Sequence, residues 1–138
     1  MSRYIHKVHY YETDKMGITH HSNYIRFMEE ARMNYLNESG FTMARLEAEG
    51  IVSPVIALAC DYKTPTTYDD EIEIEVKLTG YTGVKITLSY VMRNLRTGVL
   101  VAEASSAHCF TDRAGKPVAI RKTCPEMDGI MKSIMQEA

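Results

Sequence analysis

The spacing of apolar residues changes once along this chain, from a helical period in its first part to a strand period after position 50. Between positions 24 and 35 the apolar residues follow one helical face: Tyr24, Phe27, Met28, Ala31 and Tyr35. This pattern predicts one long helix. Ser22 or Asn23 is a natural N-cap for it, and Gly40 stands where a C′ glycine ends a helix.

Alternating apolar and polar residues predict the strands. A first strand is predicted at residues 4–11, and three more at residues 72–78, 84–92 and 99–111, separated by glycine-containing turns. The segment Val55–Tyr62 is nearly continuously apolar, which predicts a central strand covered on both faces.

The order of the elements predicts an α+β architecture. One long helix precedes a run of antiparallel strands, and Pro125 fits the first position of a C-terminal helix. A curved antiparallel sheet of about five strands, wrapped around one long central helix, is the economical way to bury both. With 138 residues the chain fits a single domain, 1–138.

Composition and charge narrow the class of protein. The formal net charge of -2 gives no electrostatic basis for binding nucleic acid or an anionic membrane. No apolar run approaches the ~20 residues of a membrane span, and residues 1–7 lack the apolar core of a secretory signal. Cys60, Cys109 and Cys124 are widely spaced and odd in number, which is typical of free thiols in a reducing compartment. We therefore expect a cytoplasmic protein with no membrane or nucleic-acid partner.

The densest cluster of polar residues, 12–24, joins the first strand to the long helix. A helix N-terminus offers unpaired N–H groups and a dipole that stabilise a developing oxyanion. Because Asp14 precedes His21 by one loop, its carboxylate can lie opposite that N-terminus and attack a polarised carbonyl, or direct water at it. Gly17 would let the loop backbone approach a substrate closely. Aspartate and threonine before a helix are also common turn and capping residues, and that interpretation stays open.

Other polar residues carry weaker signals. His20 and His21 are neighbours whose side chains point in different directions, and His108 stands alone in a strand, so no metal site is predicted. Lys85 fits a solvated surface and, as the alternative, a contact with phosphate.

Residues 10–24, YYETDKMGITHHSNY, resemble the signature of the 4-hydroxybenzoyl-CoA thioesterase-like family of the hotdog superfamily. The likeness extends through the helix that ends near Gly40 and covers nearly the whole chain. It implies a hotdog fold, in which the sheet wraps the long helix. It also implies a homodimer with two active sites at the subunit interface. In this family, two such dimers often associate into a tetramer.

The resemblance implies a role for each matching residue. Asp14 corresponds to the family's catalytic carboxylate, which acts as nucleophile or general base on the thioester carbonyl. His21 occupies the position whose backbone N–H polarises that carbonyl, and Gly17 corresponds to the glycine of the catalytic loop. Five residues are expected to contact the substrate: Thr19, His20, Asn23, Tyr24 and Lys85. Of these, Lys85 is assigned to the CoA phosphates.

The expected activity is hydrolysis of an acyl- or aroyl-CoA to the free acid and CoA, without a cofactor or metal. An acyl-carrier-protein thioesterase and a non-catalytic acyl-binding dimer are the alternatives. A hotdog dehydratase would carry a loop of the His-Phe-Pro-Gly type, which is absent from the sequence. Acyl chain length and the choice between aromatic and aliphatic acyl groups stay open.

Overall fold

Five antiparallel strands form one sheet, and helices cover it. The computed structural model describes residues 2–137. The sheet order is β1-β3-β4-β5-β2, and every neighbouring pair is antiparallel. The strands are β1 Ser2–Lys7, β2 Val55–Tyr62, β3 Glu71–Tyr81, β4 Lys85–Asn94 and β5 Leu100–Cys109. The helices are α1 Ser22–Ser39, α2 Met43–Ala48, α3 Ile120–Thr123 and α4 Pro125–Glu137. The α+β prediction is confirmed.

The long predicted helix is α1, and its apolar face forms the centre of the core. All five residues of the predicted stripe are buried, and Phe27 and Met28 are completely so. Removing such a side chain from water stabilises the fold by roughly 1.5–3 kcal/mol. The face packs on β1 and β3, which places α1 across the inner side of the sheet.

Both ends of α1 are fixed by local chemistry. Gly40 ends the helix in the left-handed region, at a φ of 92°, as predicted. At the other end the N-cap is His21, which directly precedes the two predicted candidates, Ser22 and Asn23. The reason lies in the preceding residue, because the Nδ1 atom of His20 accepts a hydrogen bond from the backbone N–H of Ser22 at 3.2 Å.

The first strand is shorter than predicted. It ends at Lys7, and the chain then forms a single 3₁₀ turn at Tyr10–Glu12. The buried Glu12 carboxylate causes the turn, because its Oε1 atom accepts hydrogen bonds from the backbone N–H of His9 at 2.6 Å and from the His6 ring at 2.9 Å. A mixed pattern of polar and apolar residues does not reveal such a contact.

The prediction that Val55–Tyr62 is a central strand covered on both faces is wrong for this chain. β2 lies at the edge of the sheet and pairs only with β5 among the strands within residues 2–137. Val55 is 48% exposed and Ile56 is 51% exposed. Soluble proteins rarely leave a long apolar edge strand open, because its free N–H and C=O groups recruit another strand.

A β-bulge bends the sheet at the end of β3. The register with β4 shifts between Leu78 and Gly80. A Cβ atom at Gly80 would collide with the hydroxyl of Thr87, so the bulge accepts no side chain at this position. The bend turns the end of the strand toward α4, which packs on β3.

Between residues 2 and 137, no helix has both the length and the hydropathy required to cross a membrane.

Candidate active site

The loop that follows the 3₁₀ turn closes on itself around Asp14. Its backbone N–H donates to the carbonyl of Ile18 at 2.9 Å, and its carbonyl accepts from Gly17 at 3.0 Å. Gly17 has a φ of 79°, a left-handed conformation that favours glycine. A Cβ atom at this position would meet nothing within 4 Å, so the backbone angle, and not crowding, explains the glycine. The hydroxyl of Thr67 donates to the Gly17 carbonyl at 2.7 Å. Gly17 therefore shapes the loop.

The Asp14 carboxylate combines a turn contact with an open oxygen. Its Oδ1 atom accepts a hydrogen bond from the backbone N–H of Met16 at 2.8 Å, so the turn interpretation is part of its role. Oδ2 has no hydrogen-bond partner among residues 2–137. The half-buried side chain lines a cleft of about 280 Å³.

Three segments of the chain form this cleft, which we call the Asp14 cleft. The first is the loop from Asp14 to Thr19, and the second is the start of α1, with His21 and Tyr24. The third is the end of β2 and the residues after it, from Tyr62 to Pro65.

The start of α1 presents one free backbone donor to the cleft. The N–H of Ser22 bonds to His20 Nδ1, that of Asn23 to the His20 carbonyl, and that of Tyr24 to the His21 carbonyl. The N–H of His21 bonds to no group in the part of the chain that the structure describes. Because it also lies at the positive end of the helix dipole, it can polarise a carbonyl oxygen.

Two residues that were predicted to contact the substrate, His20 and Asn23, hold the loop through hydrogen bonds. The side-chain amide of Asn23 donates to the Glu12 carbonyl at 2.8 Å, and the backbone N–H of His20 donates to the same oxygen at 2.8 Å. The His20 ring also contacts the Ser22 hydroxyl at 2.8 Å. Neither His20 nor Asn23 lines the Asp14 cleft.

A hydroxyl network forms the buried wall of the cleft. The Thr66 hydroxyl lies 2.7 Å from the Thr19 hydroxyl and 2.9 Å from the Tyr24 phenol oxygen. Burial raises the pKa of Tyr24, so this phenol stays protonated and neutral within the network. At the cleft's opposite wall, the Tyr62 hydroxyl donates to the His21 carbonyl at 3.1 Å.

One group of side chains has the residue types of a metal site. His6, His9 and Glu12 offer ligand atoms that all lie within 4.8 Å of one another. The His6 ring is already in contact on both sides, because Nε2 is hydrogen-bonded to Glu12 at 2.9 Å and Nδ1 lies 3.1 Å from the Glu30 carboxylate. A metal ion would have to displace one of these contacts, and the hydrogen bonds explain the cluster without it.

Lys85 does not line the Asp14 cleft. It lies at the start of β4, whereas Asn94 at the other end of that strand lies beside Ile72, near the loop. A strand of this length spans about 30 Å. The cation at the cleft is Lys63.

Sequence reasoning missed the third wall of the cleft. Tyr62 and Lys63 end the apolar run, and Thr66 follows Pro65. The signal was a strand end that carries polar and aromatic residues, which places them at the same end of the sheet as the loop after β1.

A long helix covered by a five-stranded antiparallel sheet, with a carboxylate and a free helix N–H lining one cleft, defines a hotdog-fold protein of the thioesterase type. The sequence model of the Thioesterase-like superfamily matches residues 8–132, and the chain belongs to this family.

Individual relatives are similar over most of their length. An acyl-CoA thioesterase, YbgC, from Haemophilus influenzae is 30% identical over 118 residues, which is 84% of this chain and 85% of that protein. A DHNA-CoA thioesterase from Staphylococcus aureus has a TM-score of 0.94 at 27% identity, covering 98% of this chain and 91% of that one. A hypothetical protein from Aquifex aeolicus has a TM-score of 0.87 at 34% identity, covering 95% and 99%.

Proposed function

We propose that residues 1–138 form a single domain that hydrolyses an acyl- or aroyl-CoA to the free acid and CoA. One observation carries this proposal: the open oxygen of Asp14 and the unpaired N–H of His21 belong to the same cleft. The names of the relatives above support a CoA thioester as the substrate. Three free cysteines are in keeping with an enzyme of the cytoplasm.

The reaction follows from these two groups. The thioester oxygen accepts a hydrogen bond from the His21 N–H, which stabilises the negative charge that develops during attack. Asp14 either attacks the carbonyl carbon itself or removes a proton from the attacking water. The carbon–sulfur bond breaks, and the proton that water loses ends on the sulfur of CoA. If Asp14 attacks directly, an anhydride between Asp14 and the acyl group forms first and water then hydrolyses it; in both cases water supplies the oxygen of the acid.

A panel of aliphatic and aromatic acyl-CoA substrates tests this function through the release of free thiol. We expect hydrolysis of at least one member with a kcat/KM of at least about 10⁴ M⁻¹s⁻¹. Hydrolysis confined to the same acyl groups on acyl carrier protein would favour the carrier-protein thioesterase. Binding without hydrolysis of any thioester would favour the non-catalytic acyl-binding dimer.

The open edge of β2 supports a homodimer. Its apolar residues and free backbone groups suit antiparallel pairing with β2 of a second copy, around the middle of the strand. Such pairing brings the Val55 end of one strand beside the Tyr62 end of the other. Since Tyr62 lines the Asp14 cleft, each active site would lie at the subunit boundary.

We expect the wild-type protein to sediment as a dimer or a larger assembly at micromolar concentration. Leu58→Lys should shift it toward monomer, because two like charges would meet near the twofold axis, where Leu58 is 36% exposed. The matched control is Leu95→Lys, which changes an exposed leucine in the turn after β4 and should leave the assembly intact. A wild-type monomer at this concentration would contradict the proposal.

Lys85 is proposed to bind the CoA phosphates across the dimer. Lys85 pairs with Cys109, and Val55 pairs with His108, so Lys85 and Val55 lie at the same end of the sheet. Antiparallel pairing of two β2 strands places the Val55 end of the partner subunit beside Tyr62 of the first subunit. Lys85 of the partner subunit therefore lies toward the Asp14 cleft of the first subunit.

Lys85→Ala should therefore raise KM about 10-fold and leave kcat nearly unchanged, since ground and transition states lose the same contact. The rise should shrink at high salt. Lys63→Ala provides the comparison at the cleft itself. A short thioester without the nucleotide should be unaffected by Lys85→Ala; equal effects on both substrates would remove Lys85 from the CoA site.

A further inference from the structure

A second cavity, of about 300 Å³, lies between α1, the inner face of the sheet and α4. We call it the His108 cavity. Its lining is mostly apolar, with Leu36, Leu88, Phe110 and Met127 among the side chains. None of its lining residues belongs to the Asp14 cleft. Most ligand pockets combine such an apolar lining with a few fixed polar groups.

Glu29, Arg32 and Ser53 also line the cavity and are exposed or half-buried, whereas His108 is fixed in the interior at the end of a buried chain of hydrogen bonds. Arg32 lies 3.1 Å from the Tyr90 oxygen, Tyr90 lies 2.7 Å from the Ser106 hydroxyl, and that hydroxyl lies 2.8 Å from His108 Nε2. Tyr90, Ser106 and His108 are each at most 3% exposed. Such a network holds its members in one orientation.

The direction of the hydrogen bonds can be read from its charged end. A guanidinium only donates, so the Tyr90 oxygen accepts from Arg32. Ser106 is then the one partner of the Tyr90 phenol in residues 2–137 that can accept, so the direction that satisfies the buried Tyr90 O–H is donation to Ser106. The Ser106 O–H then donates to Nε2 of His108. Burial, and secondarily the charge of Arg32, lower the pKa of His108 to about 4, so the ring is neutral near pH 7.

A neutral imidazole that accepts at Nε2 carries its proton on Nδ1. The Nδ1 atom of His108 makes no hydrogen bond to any residue that the structure describes. It is not sealed off, because no fully enclosed side-chain nitrogen or oxygen within residues 2–137 lacks a partner. His108 lines the cavity. An N–H donor in an apolar cavity costs about 1–3 kcal/mol unless an acceptor meets it.

We propose that the His108 cavity receives the acyl group of the substrate, and that His108 Nδ1–H donates to an oxygen at the far end of that group. This inference rests on the proposed thioesterase function and adds the substrate class: acyl groups that carry a distal hydroxyl or carbonyl.

The proposed dimer connects the two sites. Val55 lines the His108 cavity and Tyr62 lines the Asp14 cleft, so they stand at opposite ends of β2, about 24 Å apart. Antiparallel pairing of two copies of β2 places the cavity of one subunit beside the cleft of the other. A thioester held at Asp14 then extends its acyl group into the partner's cavity.

The test uses pairs of acyl-CoA substrates that differ only by a distal hydroxyl, one pair aliphatic and one aromatic. For at least one pair, the wild type should prefer the hydroxylated member by at least about 10-fold in kcat/KM. His108→Leu removes the donor and should abolish this preference while the plain member is still hydrolysed. His108→Asn has a smaller side chain but keeps an N–H close to the position of Nδ1, and it should retain part of the preference.

Thioether analogues of the same pairs, which cannot be hydrolysed, separate this inference from the enzymatic function. Calorimetry should show the hydroxylated analogue binding more tightly to the wild type and to His108→Asn than to His108→Leu. If this holds without hydrolysis of any substrate, the cavity assignment stands and the thioesterase function fails. If the wild type hydrolyses both members of every pair equally, or if the preference survives in a folded His108→Leu variant, the assignment of His108 is overturned.

Discussion

Asp14→Asn is expected to lower the turnover of acyl-CoA hydrolysis by at least about 10²-fold, which corresponds to about 2.7 kcal/mol of transition-state stabilisation. The amide has the size of the carboxylate but cannot attack a carbonyl or take a proton from water. Its oxygen can still accept the Met16 N–H bond that holds the turn. The melting temperature should therefore change little. Steady-state kinetics of the purified variant measure the effect.

The matched control is Asp112→Asn. Asp112 makes the same kind of turn contact, accepting the backbone N–H of Ala114 at 2.9 Å, and it does not line the Asp14 cleft. This variant should keep normal turnover. Near-normal turnover of Asp14→Asn would instead leave Asp14 with the turn role alone.

His108 should make the stability of the fold depend on pH. Its pKa is about 4 in the folded protein, because burial and the charge of Arg32 disfavour the imidazolium, and about 6.5 in the unfolded chain. Between these values the unfolded state binds more protons, so the free energy of unfolding rises with pH. The contribution of His108 to the free energy of unfolding is fully present above about pH 6.5 and is lost as the pH falls toward 4. It amounts to at most about 3 kcal/mol.

Urea unfolding at a series of pH values measures this effect as a difference between proteins. Carboxylates titrate in the same range, so the quantity to follow is the wild-type free energy minus that of His108→Asn, which has no titrating ring. This difference should fall by up to about 3 kcal/mol from pH 7 to pH 4. A difference that stays constant across the range would show that His108 is not held neutral by the fold.

The sequence correctly predicted the elements that pack against other parts of the same chain. The stripe of α1 was recognisable because all its residues meet one core, and Gly40 ended the helix as its position indicated. β2 was predicted to be central because an apolar run looks the same whether its own chain or a second copy covers it. No pattern within one chain distinguishes these cases.

The candidate site was predicted in part for a related reason. Asp14, Thr19, His21 and Tyr24 line one cleft, as a loop followed directly by a helix N-terminus suggests. The sequence could not tell which polar residues hold the loop and which face the substrate, because His20 and its neighbours have the same chemistry in either role. Tyr62 and Lys63, and the chain from Arg32 to His108, depend on strand order and register, which local sequence does not encode.

The open edge of β2 also makes the single subunit an aggregation hazard. The strand is eight residues long, contains no proline, and carries one charge, at Asp61. In the proposed dimer, twofold pairing would use this edge and leave β1 as the outer strand of the sheet, where Arg3 and Lys7 are exposed and discourage further addition. A lone subunit leaves the β2 edge free to pair with an extended segment of another polypeptide. For the proposed dimer, dissociation rather than unfolding is therefore the step that would expose this aggregation-prone edge, and dilution would promote that dissociation.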